Sequence, residues 1–247
     1  MRIAVISDIH GNDLAFEAVE SDIQKQHVDQ IVCLGDAIQG GPQPTAVVQR
    51  LHKLNCPTVM GNADAWLLSG RETGNEEIPP ERLKKMEAIR LWSLSQLNAD
   101  DQEFIANFQA TITVSLEKNL ELFCFHASPD SFDDVILPAA PQDDFQKFLG
   151  KYADRILTGG HTHAQQIRRN GELFFFNPGS VGLAYSHNQP EGQFHADHCA
   201  EYAILTAENG NTSLEFRRVP FDAQELIRIY RTSGRPFAEE AIGQYQR

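Results

Sequence analysis

Along the first sixty residues, short apolar runs alternate with helical spacing. Residues 2–7 form a run rich in Ile and Val that reads as a buried strand, closed by Asp8-Ile9-His10-Gly11-Asn12. Leu14, Ala15, Ala18, Val19 and Ile23 then recur by threes and fours, as one face of a helix does. A second run at 30–34 stops at Gly35-Asp36, a helical pattern covers 45–54, and a third run at 57–60 stops at Gly61-Asn62. Strand and helix in alternation predict parallel strands joined by crossovers.

Residues 65–108 change to a helical pattern, with a rough stripe of Leu83, Met86, Ile89, Leu94 and Leu97 and with Pro79-Pro80 where a helix would begin. They predict a helical insert at 65–108 within one domain spanning 1–247. Strands follow at 110–116 and 120–125, the second ending at His126. Residues 128–141, with three prolines, read as a loop, and 143–152 as a helix. A strand at 155–157 ends at Gly159-Gly160-His161-Thr162-His163. Strands at 165–169 and 172–176 flank the hairpin signal Asn170-Gly171. Beyond the loop at 177–182 come strands at 202–206 and 213–219 and a helix at 222–232. The last dozen residues are expected to be loose.

Composition narrows the picture. Of 247 residues, 41% are hydrophobic and 22% charged, enough apolar material for a packed core and too much for a disordered chain. No apolar run reaches the length of a membrane-spanning helix, and the short N-terminal run turns polar too early for a signal peptide. The 34 acidic against 21 basic residues give a net charge of -13. That balance argues against nucleic acid and anionic membranes as partners, and it repels anionic substrates unless the site carries its own cations. Cys33, Cys56, Cys124 and Cys199 show no paired spacing, which predicts reduced thiols and a cytoplasmic location.

Five of the predicted strands end in polar clusters: Asp8-x-His10, Gly35-Asp36, Gly61-Asn62, His126 and His161-x-His163. Taken singly, each is ordinary: a turn cap, a Gly-Asp turn, a structural histidine. Together they are expected to collect at one sheet edge, where α/β folds bind ligands. Imidazoles, carboxylates and an amide oxygen suit a divalent transition metal. Their number suits two ions sharing a carboxylate, about 3.5–4 Å apart, which bind anionic oxygen and generate hydroxide near neutral pH. Such ions would also offset the acidic surroundings.

These motifs, Asp8-x-His10-Gly11-Asn12, Gly35-Asp36, Gly61-Asn62-x-Asp64, His126 and Gly160-His161-x-His163, resemble the calcineurin-like metallophosphoesterase superfamily. Asn177-Pro178-Gly179-Ser180-Val181-Gly182 further resembles its small microbial phosphodiesterase branch. The resemblance implies an α/β fold, a four-layer α-β-β-α sandwich of two mixed sheets. It implies two divalent metal ions (Mn, Fe, Ni or Zn), the first held by Asp8, His10 and His163 and the second by Asn62, His126 and His161. Asp36 would bridge both with a hydroxide that attacks phosphorus. His10, Asp36 and His126 would be the catalytic residues, and Asn12 and Asp64 would support the turns around them.

Two positions depart from the family pattern. Ala63 stands where many relatives carry the histidine that protonates the leaving group, so poor leaving groups should react slowly. Ala184-Tyr185 stands where many place proline and a basic residue. His187 and Arg71 are candidate substrate contacts, whereas Trp66 and Trp92 read as packing residues and Arg90 as a solvated one. The expected activity is hydrolysis of phosphodiesters, phosphomonoesters or dinucleoside polyphosphates. The expected partner is a small phosphorylated substrate such as a nucleotide, with the oligomeric state left open. The alternative is a catalytically weak or inactive scaffold on the same fold that binds protein partners.

Overall fold

A computed structural model describes residues 1–71, 78–190 and 192–246. Residues 72–77 of the expected helical insert fall outside this range. Two mixed sheets form the centre. The first contains β1 (Arg2–Ile6), β2 (Gln30–Cys33), β8 (Cys199–Glu208) and β9 (Asn211–Pro220) in the order β2-β1-β8-β9. The second contains β3 (Ile112–Glu117), β4 (Leu120–Cys124), β5 (Ile156–Thr158), β6 (Gln166–Asn170) and β7 (Leu173–Asn177) in the order β3-β4-β5-β7-β6. β1 and β2 are parallel, as are β4, β5 and β7, while the hairpin pairs run antiparallel.

Alternation along the strands sorts the side chains into three apolar layers, because successive residues face opposite sides of a sheet. Ala4 and Ile6 of β1 face the helices, packing with Phe16 and Val19 of α1 (Asp13–Ile23) and Val47 and Leu51 of α2 (Pro44–Lys53). Ile3 and Val5 face the other way and meet Val114, Leu122, Cys124 and Phe176 between the sheets. Phe123, Phe125 and Phe175 turn outward onto Phe145 and Leu149 of α6 (Gln142–Leu149). Helix, sheet, sheet and helix are therefore four layers held by three cores. α3 (Asn62–Ser69), α4 (Pro80–Gln96) and α5 (Ala99–Ala106) pack beside α2.

Three expectations need correction. Residues 57–60 form no strand: Thr58 and Val59 make only isolated bridges to Cys33 and Gln109, at the edge of the first sheet. The β8–β9 hairpin is longer than the apolar runs suggested, because Asn209 and Gly210 both take positive φ, the conformation of a tight hairpin turn. Residues 236–246 are not loose: α8 (Ala238–Gly243) packs on α7 (Ala223–Thr232), burying Ala241, Ile242 and Tyr245 in a fourth apolar cluster. The four cysteines are free thiols; burial raises Cys33 and Cys124 and pushes Cys56 up to about 12. Among the described residues no helix is long and apolar enough to cross a membrane.

Candidate metal centre

The polar clusters meet not at one sheet edge but where the edges of the two sheets face each other. Asp8 and His10 follow β1 and Asp36 follows β2, whereas His126 follows β4 and His161 and His163 follow β5. The loops are laced together. Asp8 N–H donates to Gly35 O (3.0 Å) and His10 N–H to Asp36 O (2.9 Å) within one sheet's loops. Between sheets, His161 N–H donates to Asp8 Oδ2 (3.1 Å). Such close approach demands small residues at two points. A Cβ on Gly160 would lie 1.9 Å from Ser7 Oγ, and one on Gly61 would lie 2.1 Å from Asp36 Oδ1.

Three imidazoles are aimed by backbone carbonyls. Nδ1–H of His10 donates to Gln39 O (2.9 Å), that of His126 to Leu34 O (2.8 Å) and that of His163 to Leu183 O (2.8 Å). This tautomer leaves each Nε2 lone pair facing inward, as metal-ligating histidines are held. Asp8, His10 and His163 form one cluster of ligand atoms within 4.8 Å of one another; Asp36, His126 and His161 form a second. His10 Nε2 and His163 Nε2 lie 3.0 Å apart. Two lone pairs at that separation repel unless a cation or proton sits between them. Asp8 Oδ1 is buried without a hydrogen-bond donor among the described residues, 3.3 Å from His163 Nε2. Asn62 Oδ1 lies 3.0 Å from His126 Nε2 and 3.1 Å from His161 Nδ1. Asp36 Oδ2, in the second cluster, lies 3.4 Å from His126 Nε2 and faces the first, 3.8 Å from His10 Nε2. Converging acceptors with an orphaned carboxylate oxygen, all nitrogen and oxygen donors, fit divalent cations.

The electrostatics agree. Burial works to raise Asp36, but the imidazoles of His126 and His10 outweigh it and hold the carboxylate far below its usual range. Asp8 is lowered likewise, burial being outweighed chiefly by His163. Burial opposes a charged His126, yet Asp36 pushes it up to about 9; His163 rises for the same reason beside Asp8. Burial and a neighbouring imidazole lower His10 and His161. Buried negative charge thus draws positive charge onto two of the four histidines.

Support comes from residues around the clusters. Asn12 caps α1 through Ala15 N–H (3.1 Å) and donates to Gly182 O (3.0 Å). Asp64 accepts from Ala37 N–H (3.1 Å) and Ile38 N–H (3.0 Å), fixing the turn after Asp36, while burial and the charge of Asp36 push its carboxyl up to about 7. Of the two candidate substrate contacts, exposed His187 donates Nε2–H to Thr162 O (2.7 Å), between His161 and His163. Arg71 is exposed beyond the last turn of α3, an eight-residue helix about 12 Å long that begins at Asn62. Trp66 is buried. Arg90 is not solvated as expected: its guanidinium caps the end of α3 on the carbonyls of Trp66, Leu67 and Leu68. Tyr245 escaped the sequence reading, and Ser180 was read only as part of the loop at 177–182. Ser180 Oγ–H donates to Asp8 O (2.7 Å), and Tyr245 Oη–H reaches Gly182 O (3.0 Å).

The model of the calcineurin-like phosphoesterase superfamily domain matches residues 1–209. An uncharacterized protein of Methanocaldococcus jannaschii is 29% identical over 241 residues, covering 90% of this chain and 89% of its own. Phosphodiesterase YfcE of Escherichia coli K12 is 26% identical over 196 residues, 74% of this chain and 80% of its own. A metallophosphoesterase from Sphaerobacter thermophilus superposes with a TM-score of 0.73 at 25% identity over 98% of each chain. A hypothetical protein from Pyrococcus horikoshii shares the fold, with a TM-score of 0.81 at 21% identity over 99% of this chain and 98% of its own.

Proposed function

The chain belongs to the calcineurin-like phosphoesterase superfamily and is a metal-dependent hydrolase; from that premise we propose that it hydrolyses small phosphodiesters, phosphomonoesters or dinucleoside polyphosphates at a two-cation centre. Asp8, His10 and His163 would hold one ion and Asn62, His126 and His161 the other, with Asp36 shared. When bound, the ions supply Lewis acidity and lower the pKa of water. The reading rests on one observation above the rest: Asp36 Oδ2, part of one candidate ligand cluster with His126 (3.4 Å), also lies 3.8 Å from His10 of the other. The similarity to the phosphodiesterase YfcE supports a diester substrate.

The chain's own residues prepare the site. Asp36 is fixed by Ala63 N–H on its other oxygen (2.8 Å), so its free oxygen keeps its place. α3 begins at Asn62, so the positive end of that helix lies at the centre and favours a phosphoryl group. At Ala63 the side chain is a methyl group with no proton to give. Substrates whose leaving groups depart unprotonated, such as aryl oxides or nucleotide phosphates, should therefore react best.

The test is turnover of a nitrophenyl phosphodiester by manganese-loaded protein. Asp36→Ala should lower the rate by at least about 10²-fold, as loss of one electrostatic element does. Alkyl diesters should lag further than leaving-group acidity alone dictates, by up to the 10²–10⁴-fold worth of a general acid. A wild-type rate no higher than that of Asp36→Ala would overturn the hydrolytic reading and put the partner-binding scaffold first.

A further inference from the structure

Residues 183–190 and 192–198 lie between the loop that holds His163 and β8, and they carry three aromatic rings in contact. The Tyr185 ring meets His163 edge-on with centroids 5.7 Å apart. His187 lies against Tyr185 at 4.7 Å and a 34° tilt, and Phe194 meets Tyr185 edge-on at 4.9 Å. The group is tied down at several points. His187 donates to Thr162 O between two metal-ligating histidines (2.7 Å). Gln189 closes the loop on His195 through both its backbone groups, donating to O (2.7 Å) and accepting from N–H (2.6 Å). Asp197 N–H returns to Ala184 O (2.7 Å), while Leu183 and Ala196 pack in the C-terminal apolar cluster beneath.

Packing explains the underside of this loop but not its aromatic top. Phe194 is 40% exposed, as only Phe237 is among the other phenylalanines, the rest being buried or half-buried. The rings are held in place before any ligand arrives, which removes the ordering cost that a flexible loop would carry. They start at a ligand of the first cation cluster, within reach of any group attached to a phosphorus bound there. A π surface at that place offers stacking, and little to a bare phosphate oxygen.

We propose that Tyr185, His187 and Phe194 form a subsite that stacks an aromatic ring of the substrate, a nucleobase or aryl group esterified to the phosphorus, beside the cation centre. The proposal deepens the phosphoesterase reading and rests on it for the position of the phosphorus. It makes substrate preference a property of the 183–198 loop rather than of the ligands: aryl and nucleoside esters bind through their rings, and small alkyl esters do not.

The test compares Phe194→Ala and Tyr185→Ala, with Tyr185→Phe as the variant that keeps the ring. Thymidine p-nitrophenyl phosphate and methyl p-nitrophenyl phosphate share a leaving group, so a ring effect confined to the former assigns the subsite to the nucleobase, and one common to both assigns it to the aryl group. Each alanine variant should raise KM for the ring-bearing ester about tenfold, more than it lowers kcat, the size expected for losing one stacking partner. Inhibition by AMP should weaken by a similar factor while inhibition by inorganic phosphate moves less than about twofold; Tyr185→Phe should retain wild-type KM. Equal changes for AMP and phosphate, or no change for either, would overturn the proposal. Equilibrium dialysis of AMP against the manganese-loaded proteins separates the two claims. Ring-dependent AMP binding without turnover would sink the hydrolase reading and spare the subsite; turnover with AMP binding unaffected by either alanine variant would do the reverse.

Discussion

Asp8, His10, Asp36, His161 and His163 all adopt positive φ, between +48° and +67°. Such backbone costs on the order of 1–3 kcal/mol per residue, and it persists only where the surroundings over-determine it. Asp and His tolerate it better than branched side chains do, so the residue types that bind cations also suit the turns that aim them. The loops are held from below by Ser180, and Glu201 N–H donates to Ser180 O (2.8 Å). The Glu201 carboxyl packs against Gly179, where a Cβ would meet it at 2.2 Å. Burial raises this carboxyl from its ordinary 4.5 to about 7, against the pull of Arg218. A carboxyl raised on folding contributes stability that is complete below 4.5 and is lost as pH climbs through about 7. At 1.36 kcal/mol per pKa unit the whole swing is on the order of 3 kcal/mol. Glu201→Gln should flatten that part of the stability curve; urea denaturation at about pH 5 and about pH 8 reads it, and an unchanged slope would exclude the assignment.

The C-terminal helices act on the centre although they lie outside the region matched to the family. Tyr245 Oη–H donates to Gly182 O (3.0 Å), and Gly182 N–H donates to Asp8 O (3.0 Å). From the segment between α7 and α8, Arg235 Nε–H donates to Gly40 O (2.6 Å), next to the carbonyl that aims His10. Tyr245→Phe keeps the ring and removes one buried bond, while Asn12 still serves Gly182 O. It should lower the unfolding free energy by about 1 kcal/mol in urea titration; no measurable loss would show the bond to be idle. This segment was legible and missed: Ala238, Ala241, Ile242 and Tyr245 follow the i, i+3, i+4, i+7 rule of a buried helical face. Asn209-Gly210 likewise announced the long hairpin. By contrast, β1, α1 and β2 followed directly from run length and periodicity, and the clusters ending in Asp8, Asp36, His126, His161 and His163 were visible as polar stops after apolar runs. What sequence could not give was the seam. Whether strand ends share one sheet or face each other from two depends on long-range pairing, which no local period encodes. For the same reason the short run at 57–60 looked like a strand: Val59 is wholly buried, but by packing between sheets rather than by a ladder.

Across the whole molecule, a net charge of -13 surrounds a centre that itself buries Asp8, Asp36 and Asp64. Cations that bind the folded state alone stabilise it by mass action, about 2.7 kcal/mol per site at a hundredfold excess over Kd. For a chain of this size that raises Tm by about 5–10 °C per site. Chelation should reverse the gain in a thermal melt, and Asp36→Ala should shrink it; a Tm indifferent to manganese and chelator would contradict the ligand assignment. The candidate ligands are divided between the two sheets. Each sheet is internally laced by its own ladder; between the two, the strands meet through side-chain packing, and hydrogen bonds such as His161 N–H to Asp8 Oδ2 tie the loops at the centre. An ion held by Asp8 from one sheet and His163 from the other would work like a rivet through two plates, so the loaded protein should resist shear along that plane, and the chemistry and the mechanical cohesion of the sandwich should be lost together.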